Sequence, residues 1–138
     1  MANTKPIGVA FEDQNIIGAD YVYAAGEIGY TAAAQGTVTQ ATSKSTGVTL
    51  NKSAGQITMN GAALAGNTAV SFTLTNSTLS AKDVIVVCIS AGATATAYSV
   101  YVSSMAAGSA VITLRNLTAS TSYSEAVVVN FAIIHGAP

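Results

Sequence analysis

Residues 35–51 read QGTVTQATSKSTGVTLN. Glycine, serine, threonine and the lysine Lys44 suggest a loop that cradles a phosphate. The same letters also suit two strands joined by a polar turn, and the choice separates a nucleotide enzyme from an all-β protein. A phosphate loop follows G-x-x-x-x-G-K-[ST], with its glycines before the lysine and a helix after it. Here Lys44 stands between Ser43 and Ser45, Gly47 comes after it, and the strand-like VTL follows. The spacing predicts a strand over 37–42, a turn over 43–47 and a strand over 48–50. Lys44 is then a turn residue that faces solvent or a partner.

The pattern continues downstream. In residues 70–75, Val70, Phe72 and Leu74 alternate with Ser71, Thr73 and Thr75. A period of two marks a half-buried antiparallel strand. Tyr98, Val100 and Val102 alternate with Ser99, Tyr101 and Ser103 in the same way. Ile112 and Leu114 point to the core, with Thr113 and Arg115 pointing away. Val127, Val129, Phe131 and Ile133 share one face. DVIVVCIS (83–90) is apolar on both faces and reads as a central strand, with Lys82 and Asp83 before it as charged gatekeepers against aggregation. Turn signals separate the runs at Asn60-Gly61, Ala65-Gly66-Asn67, Ala91-Gly92, Ala107-Gly108 and residues 118–122. Both prolines, Pro6 and Pro138, lie outside this region, so none interrupts a strand ladder.

About eight strands between 37 and 134 predict a single all-β sandwich, jelly-roll-like, over residues 35–138. The alternative is an immunoglobulin-like sandwich. LTASTSY (117–123) resembles the tyrosine corner of such domains, but only one strand follows Tyr123. Residues 1–34 form a different region, read as an extended N-terminal arm. They hold four of the six acidic residues and three of the six tyrosines, broken by Gly8, Gly18, Gly26 and Gly29. Ile7, Phe11, Tyr21, Tyr23 and Tyr30 are its candidate interface anchors, because apolar and aromatic side chains supply most interface energy.

Only 8% of the 138 residues are charged, against about a quarter in ordinary domains. No charge occurs over 53–81 or 84–114. A small domain this poor in charge is expected to hide surface in an oligomer or larger assembly. Net charge of −1 offers nothing to a nucleic-acid backbone. The apolar runs are shorter than the roughly 20 residues of a membrane-spanning helix. MANTKPIGVAFEDQN (1–15) lacks the apolar core of a secretion signal, so no secretion and no membrane partner are expected.

Candidate chemistry is sparse. The only histidine is His135 and the only cysteine is Cys88, too few for a metal site with defined spacing. Cys88 reads as a small buried hydrophobe in mid-strand. A serine triad would need His135 with Asp20 or Asp83 and one of many serines, and no G-x-S-x-G elbow marks which. Glu12 and Asp13 are adjacent on an extended arm and point apart. No cofactor, metal ion or catalytic residue is expected. The N-x-S/T triplets at Asn51, Asn76 and Asn116 fit chance in a chain so rich in these letters.

GTVTQATSKSTGVTLNKSAGQITMN (36–60), SFTLTNS (71–77), DVIVVCIS (83–90) and SEAVVVNFAII (124–134) together resemble a domain that recurs in tailed-bacteriophage virion proteins. KPIGVAFEDQ (5–14) resembles the start of small capsid-associated proteins of such phages. The resemblance implies a non-enzymatic structural protein that decorates and cements the capsid exterior. Its implied partners are the major capsid protein and copies of itself, as a homotrimer. The alternative is a tail or fibre component that recognises a host surface or carbohydrate, with Tyr98, Tyr101 and Tyr123 as the aromatic candidates. A hydrolase built around His135 is the remaining reading.

Overall fold

The structure, a computed structural model, describes Tyr21 and residues 23–136. A 3-10 turn at Ala32–Ala34 leads into eight strands: β1 (Gln35–Thr39), β2 (Val48–Thr49), β3 (Ala54–Thr58), β4 (Ala69–Thr75), β5 (Val84–Ala91), β6 (Tyr98–Ala106), β7 (Ser109–Asn116) and β8 (Val128–Ile134). They form a β-sandwich of two four-stranded sheets, in the orders β1-β3-β8-β5 and β2-β4-β7-β6. From β1 to β6 each strand lies in the opposite sheet to the one before it. Among the described residues the only tight hairpin within a sheet is β6–β7, where Ala107-Gly108 joins the pair Ala106 and Ser109. Gly108 has a φ of 77°, a left-handed backbone that side chains disfavour.

Alternation in the sequence becomes burial in the sandwich. Phe72 and Leu74 of β4, Ile112 and Leu114 of β7, and Val129, Phe131 and Ile133 of β8 are buried with Val127 and Ile57 in one core. The facing positions Ser71, Thr73, Thr75 and Arg115 are exposed. Thr113 also faces away from the core, yet it is covered, because its hydroxyl sits between those of Ser71 and Ser103 at 2.8 and 3.0 Å. Two inward glycines, Gly36 and Gly55, pair across β1 and β3. A Cβ on Gly55 would stand 2.6 Å from the Gly36 carbonyl oxygen and 2.7 Å from Leu50. The space these glycines leave is filled by Leu50 and Phe131.

Residues 35–51 are not the strand pair that their spacing predicts. β1 pairs with β3 and β2 with β4, both in parallel, so the two strands lie in opposite sheets. Residues 40–47 arch over the end of the sandwich, a connection longer than the 2–5 residues a hairpin uses. Lys44 does not face solvent. It is 3% exposed, and its ammonium donates to the Asn60 carbonyl at 2.5 Å and to the Glu125 carbonyl. Gln40, equally buried, donates to the Lys44 and Thr46 carbonyls and accepts from the Asn60 amide. Burial pushes the Lys44 ammonium below its ordinary pKa, partly opposed by the Glu125 charge. The small polar residues of this stretch therefore serve a buried network that ties the arch to the chain before Ala62 and before β8.

The N-x-S/T triplets also have a structural use. Asn76 and Asn116 are fully buried at the ends of β4 and β7. Each side-chain oxygen accepts from the backbone and hydroxyl of the threonine two residues on, Thr78 or Thr118. Their amide groups donate to Lys52, and to Leu64 and Thr121, respectively. A side chain that replaces a turn's own hydrogen bonds lets a loop leave the sheet without orphaned polar groups.

Candidate functional site

The outer faces of the two sheets differ. The β2-β4-β7-β6 sheet presents Ser71, Thr73, Ser103 and Arg115, with Tyr101 as its exposed ring. The β1-β3-β8-β5 sheet presents an apolar strip. Val84 and Val86 of β5 pair with Ile134 and Ala132 of β8, and Ala132 pairs in turn with Ala54 of β3. Val84, Val86 and Ile134 are 56%, 53% and 61% exposed. Further along, the strip gives way to Cys88, Asn130 and Gln56, where Gln56 donates to Asn130 at 3.0 Å.

This corrects two expectations. β5 is an edge strand, not a central one, and Cys88 is exposed. The cause is physical. A strand apolar on both sides signals burial on both sides, but within one chain only the side of Ile85 is covered. Asp83 is not a solvated gatekeeper either. Its buried carboxylate accepts from the Ser80 amide and hydroxyl at 2.9 and 2.7 Å and from the Gly136 amide at 2.9 Å. Those bonds, led by the Ser80 amide, hold its carboxyl well below the usual carboxylate range.

The described part of the arm continues the apolar strip. Ile28, Gly29 and Tyr30 form a groove of about 440 Å³ with residues 132–135. The Tyr30 hydroxyl donates to the Ile133 carbonyl. Lys52 reaches the arm at the Ala33 carbonyl, 2.8 Å away. Tyr21 and Tyr23 are open to solvent and stack with ring centroids 5.8 Å apart. Of the five candidate anchors, Tyr30 is thus docked, Tyr21 and Tyr23 are exposed, and Ile7 and Phe11 lie outside the described residues. Tyr98 and Tyr123 belong to the interior packing, with centroids 5.9 Å apart. Burial first, then the Glu125 carboxylate, holds the Tyr98 phenol far above its ordinary pKa. Tyr101 alone of the three is an exposed ring.

The sequence candidates for acid–base work divide. Cys88, the only thiol in the sequence, pairs with Asn130, five residues along the chain from His135, and is not beside the imidazole. Asp83 and His135 are: Nδ1 lies 3.0 Å from the carboxylate, and the other ring nitrogen lies 3.3 Å from the Ser53 hydroxyl. Asp20 lies outside the described residues. Among the described residues no three His, Cys, Asp or Glu side chains gather as metal ligands. Comparison with protein-family models, curated proteins and solved structures finds no match to this chain.

Proposed function

We propose that the chain is a structural component of a tailed-bacteriophage particle, a decoration protein that attaches to the capsid exterior and cements it. The observation that carries the attachment surface is the two-sided apolar character of β5. Val84, Val86 and Ile134 form a strip that nothing in the described chain covers, and contiguous apolar surface of this kind marks interaction sites. The scarcity of charge and the stacked, exposed rings of Tyr21 and Tyr23 add to it. The resemblance of residues 36–60, 71–77, 83–90 and 124–134 to virion proteins supports the particle setting.

The mechanism is mass action. A protein that binds the assembled shell and not its dissociated parts stabilises the shell, by about 2.7 kcal/mol per site at a free concentration 100 times Kd. The partners are the major capsid protein and further copies of this chain, arranged as a homotrimer. Gold-labelled antibody on purified particles tests the placement. Label spread over the head is the expected result. Label confined to the tail would favour the fibre reading, in which Tyr101 is the exposed ring for a glycan, and unlabelled particles would contradict both.

A further inference from the structure

The order β3-β8-β5 brings three remote side chains to one rim of the sandwich. Ser53 stands just before β3, Asp83 just before β5 and His135 just after β8. β8 runs antiparallel to both neighbours, so its end meets both of their beginnings. Asp83 Oδ2 lies 3.0 Å from His135 Nδ1, and His135 Nε2 lies 3.3 Å from Ser53 Oγ. The Asp83 side chain is 1% exposed and that of His135 is 41% exposed, so the chain of contacts runs from interior to solvent.

From this geometry we propose that Ser53, His135 and Asp83 form a nucleophilic acyl-transfer site that acts on small esters with an apolar acyl group. Asp83 accepts at both oxygens, so in the neutral form of the imidazole the Nδ1 facing it is the nitrogen that carries the ring proton. Nε2 is then the acceptor, and the Ser53 hydroxyl is the donor within its reach. Three other donors, two on Ser80 and one on Gly136, already satisfy the carboxylate. The imidazole is therefore not needed to settle Asp83. Instead, Asp83 fixes the ring's tautomer and orientation and is a positioning residue. His135 also stands in the wall of the largely apolar groove between Ile28–Tyr30 and residues 132–135; Ser53 lies outside that lining, 3.3 Å from the ring's Nε2, so an acyl chain held in the groove reaches Ser53 past the His135 ring.

The chemistry balances with water as the only co-reactant. Ser53 Oγ bonds to the ester carbonyl carbon while its proton passes to His135 Nε2. The bond to the alkoxy oxygen breaks, and the alcohol leaves with that proton. Water then attacks the acyl-serine, gives a proton to Nε2, and the proton returns to Ser53 Oγ as the carboxylic acid departs. General base catalysis contributes roughly 10²–10⁴-fold, which sets the size of the effect to look for.

The full chain is treated with a fluorophosphonate probe. Here the Ser53 Oγ–P bond forms and P–F breaks, with loss of HF through His135. The labelled residue is located by peptide mass spectrometry, and hydrolysis of p-nitrophenyl butyrate is followed in parallel. The expected results are label on Ser53, none at that position in Ser53→Ala, and labelling slowed about 100-fold in His135→Gln. Asp83→Asn, assayed where thermal melting shows it fully folded, lowers kcat with KM unchanged, which a loss of folded protein would then not explain. Both His135→Gln and Ser53→Ala change partly exposed or half-buried side chains, and thermal melting confirms that each variant is folded. Label spread over several serines, or Ser53 labelling as fast in folded His135→Gln as in the parent, would overturn the proposal.

Discussion

The two outer faces of this sandwich rest on the same core yet have opposite chemistry. On β4, β6 and β7 the residues opposite the core are Ser71, Thr73, Ser103 and Arg115, and hydroxyls bond one another across the strands. At the start of β5 and the end of β8 they are Val84, Val86, Ala132 and Ile134, side chains without hydrogen-bonding groups, before the face turns polar at Cys88 and Asn130. Water satisfies the first face. The second leaves apolar area exposed, at roughly 25 cal/mol per Å² of burial forgone. The contrast teaches that the inward pattern defines the sandwich and the outward pattern defines what it meets. The polar face suits solvent and the apolar face suits a partner.

Both faces depend on one frame, and the largest expected effects come from breaking it. Lys44→Ala removes the ammonium that joins the arch between the sheets to the Asn60 and Glu125 carbonyls. We expect a loss of about 3 kcal/mol in chemical denaturation, because buried carbonyls are left without donors. Gly55→Ala sets a Cβ 2.6 Å from the Gly36 oxygen, inside the sheet that carries the apolar face. We expect a loss of about 1–3 kcal/mol. Full unfolding curves that matched the parent in either variant would break this account of the frame.

A third prediction concerns the rim of the apolar sheet. Asp83 has a depressed pKa in the folded state, led by its bond from the Ser80 amide. Its contribution to stability is complete above the unfolded carboxylate value of about 4 and is lost as pH falls below that toward the folded value. Acid titration of the parent and of Asp83→Asn should show a steeper loss in the parent below about pH 4. Parallel curves would show that the carboxylate does not govern the acid limb. The smallest stability effects separate the faces themselves. Val86→Asp and Thr73→Lys are each expected within about 0.5 kcal/mol of the parent. Only Val86→Asp should abolish attachment to particles, as measured by co-sedimentation. Equal attachment of both variants would erase the functional contrast.

The sandwich was legible in the sequence because alternation at 70–75, 98–103, 111–115 and 127–133 reports a covered face directly. The pairing of β1 and β2 was not, since a polar stretch of eight residues reads alike as a turn or as an arch between sheets. Lys44 escaped for a related reason. Its burial depends on two carbonyls, at Asn60 and Glu125, 16 and 81 residues away. The burial of Asn76 and Asn116 had a local signal, an asparagine two residues before a threonine at a strand end, that chance also produces. For β5, apolar character on both sides was visible, but that pattern reads alike for a central strand and for an edge strand with an exposed apolar face. Ser53 had no marker among so many serines, and only the β3-β8-β5 order selects it.

Cys88 offers the most direct test of the apolar face, since it is the only thiol in the chain and lies exposed on that face of β5. The measurement is the rate of maleimide labelling of Cys88 in the free protein and in purified particles. Attachment through this face predicts fast labelling in the free protein and protection in the particle. Equal rates in the two states would contradict it.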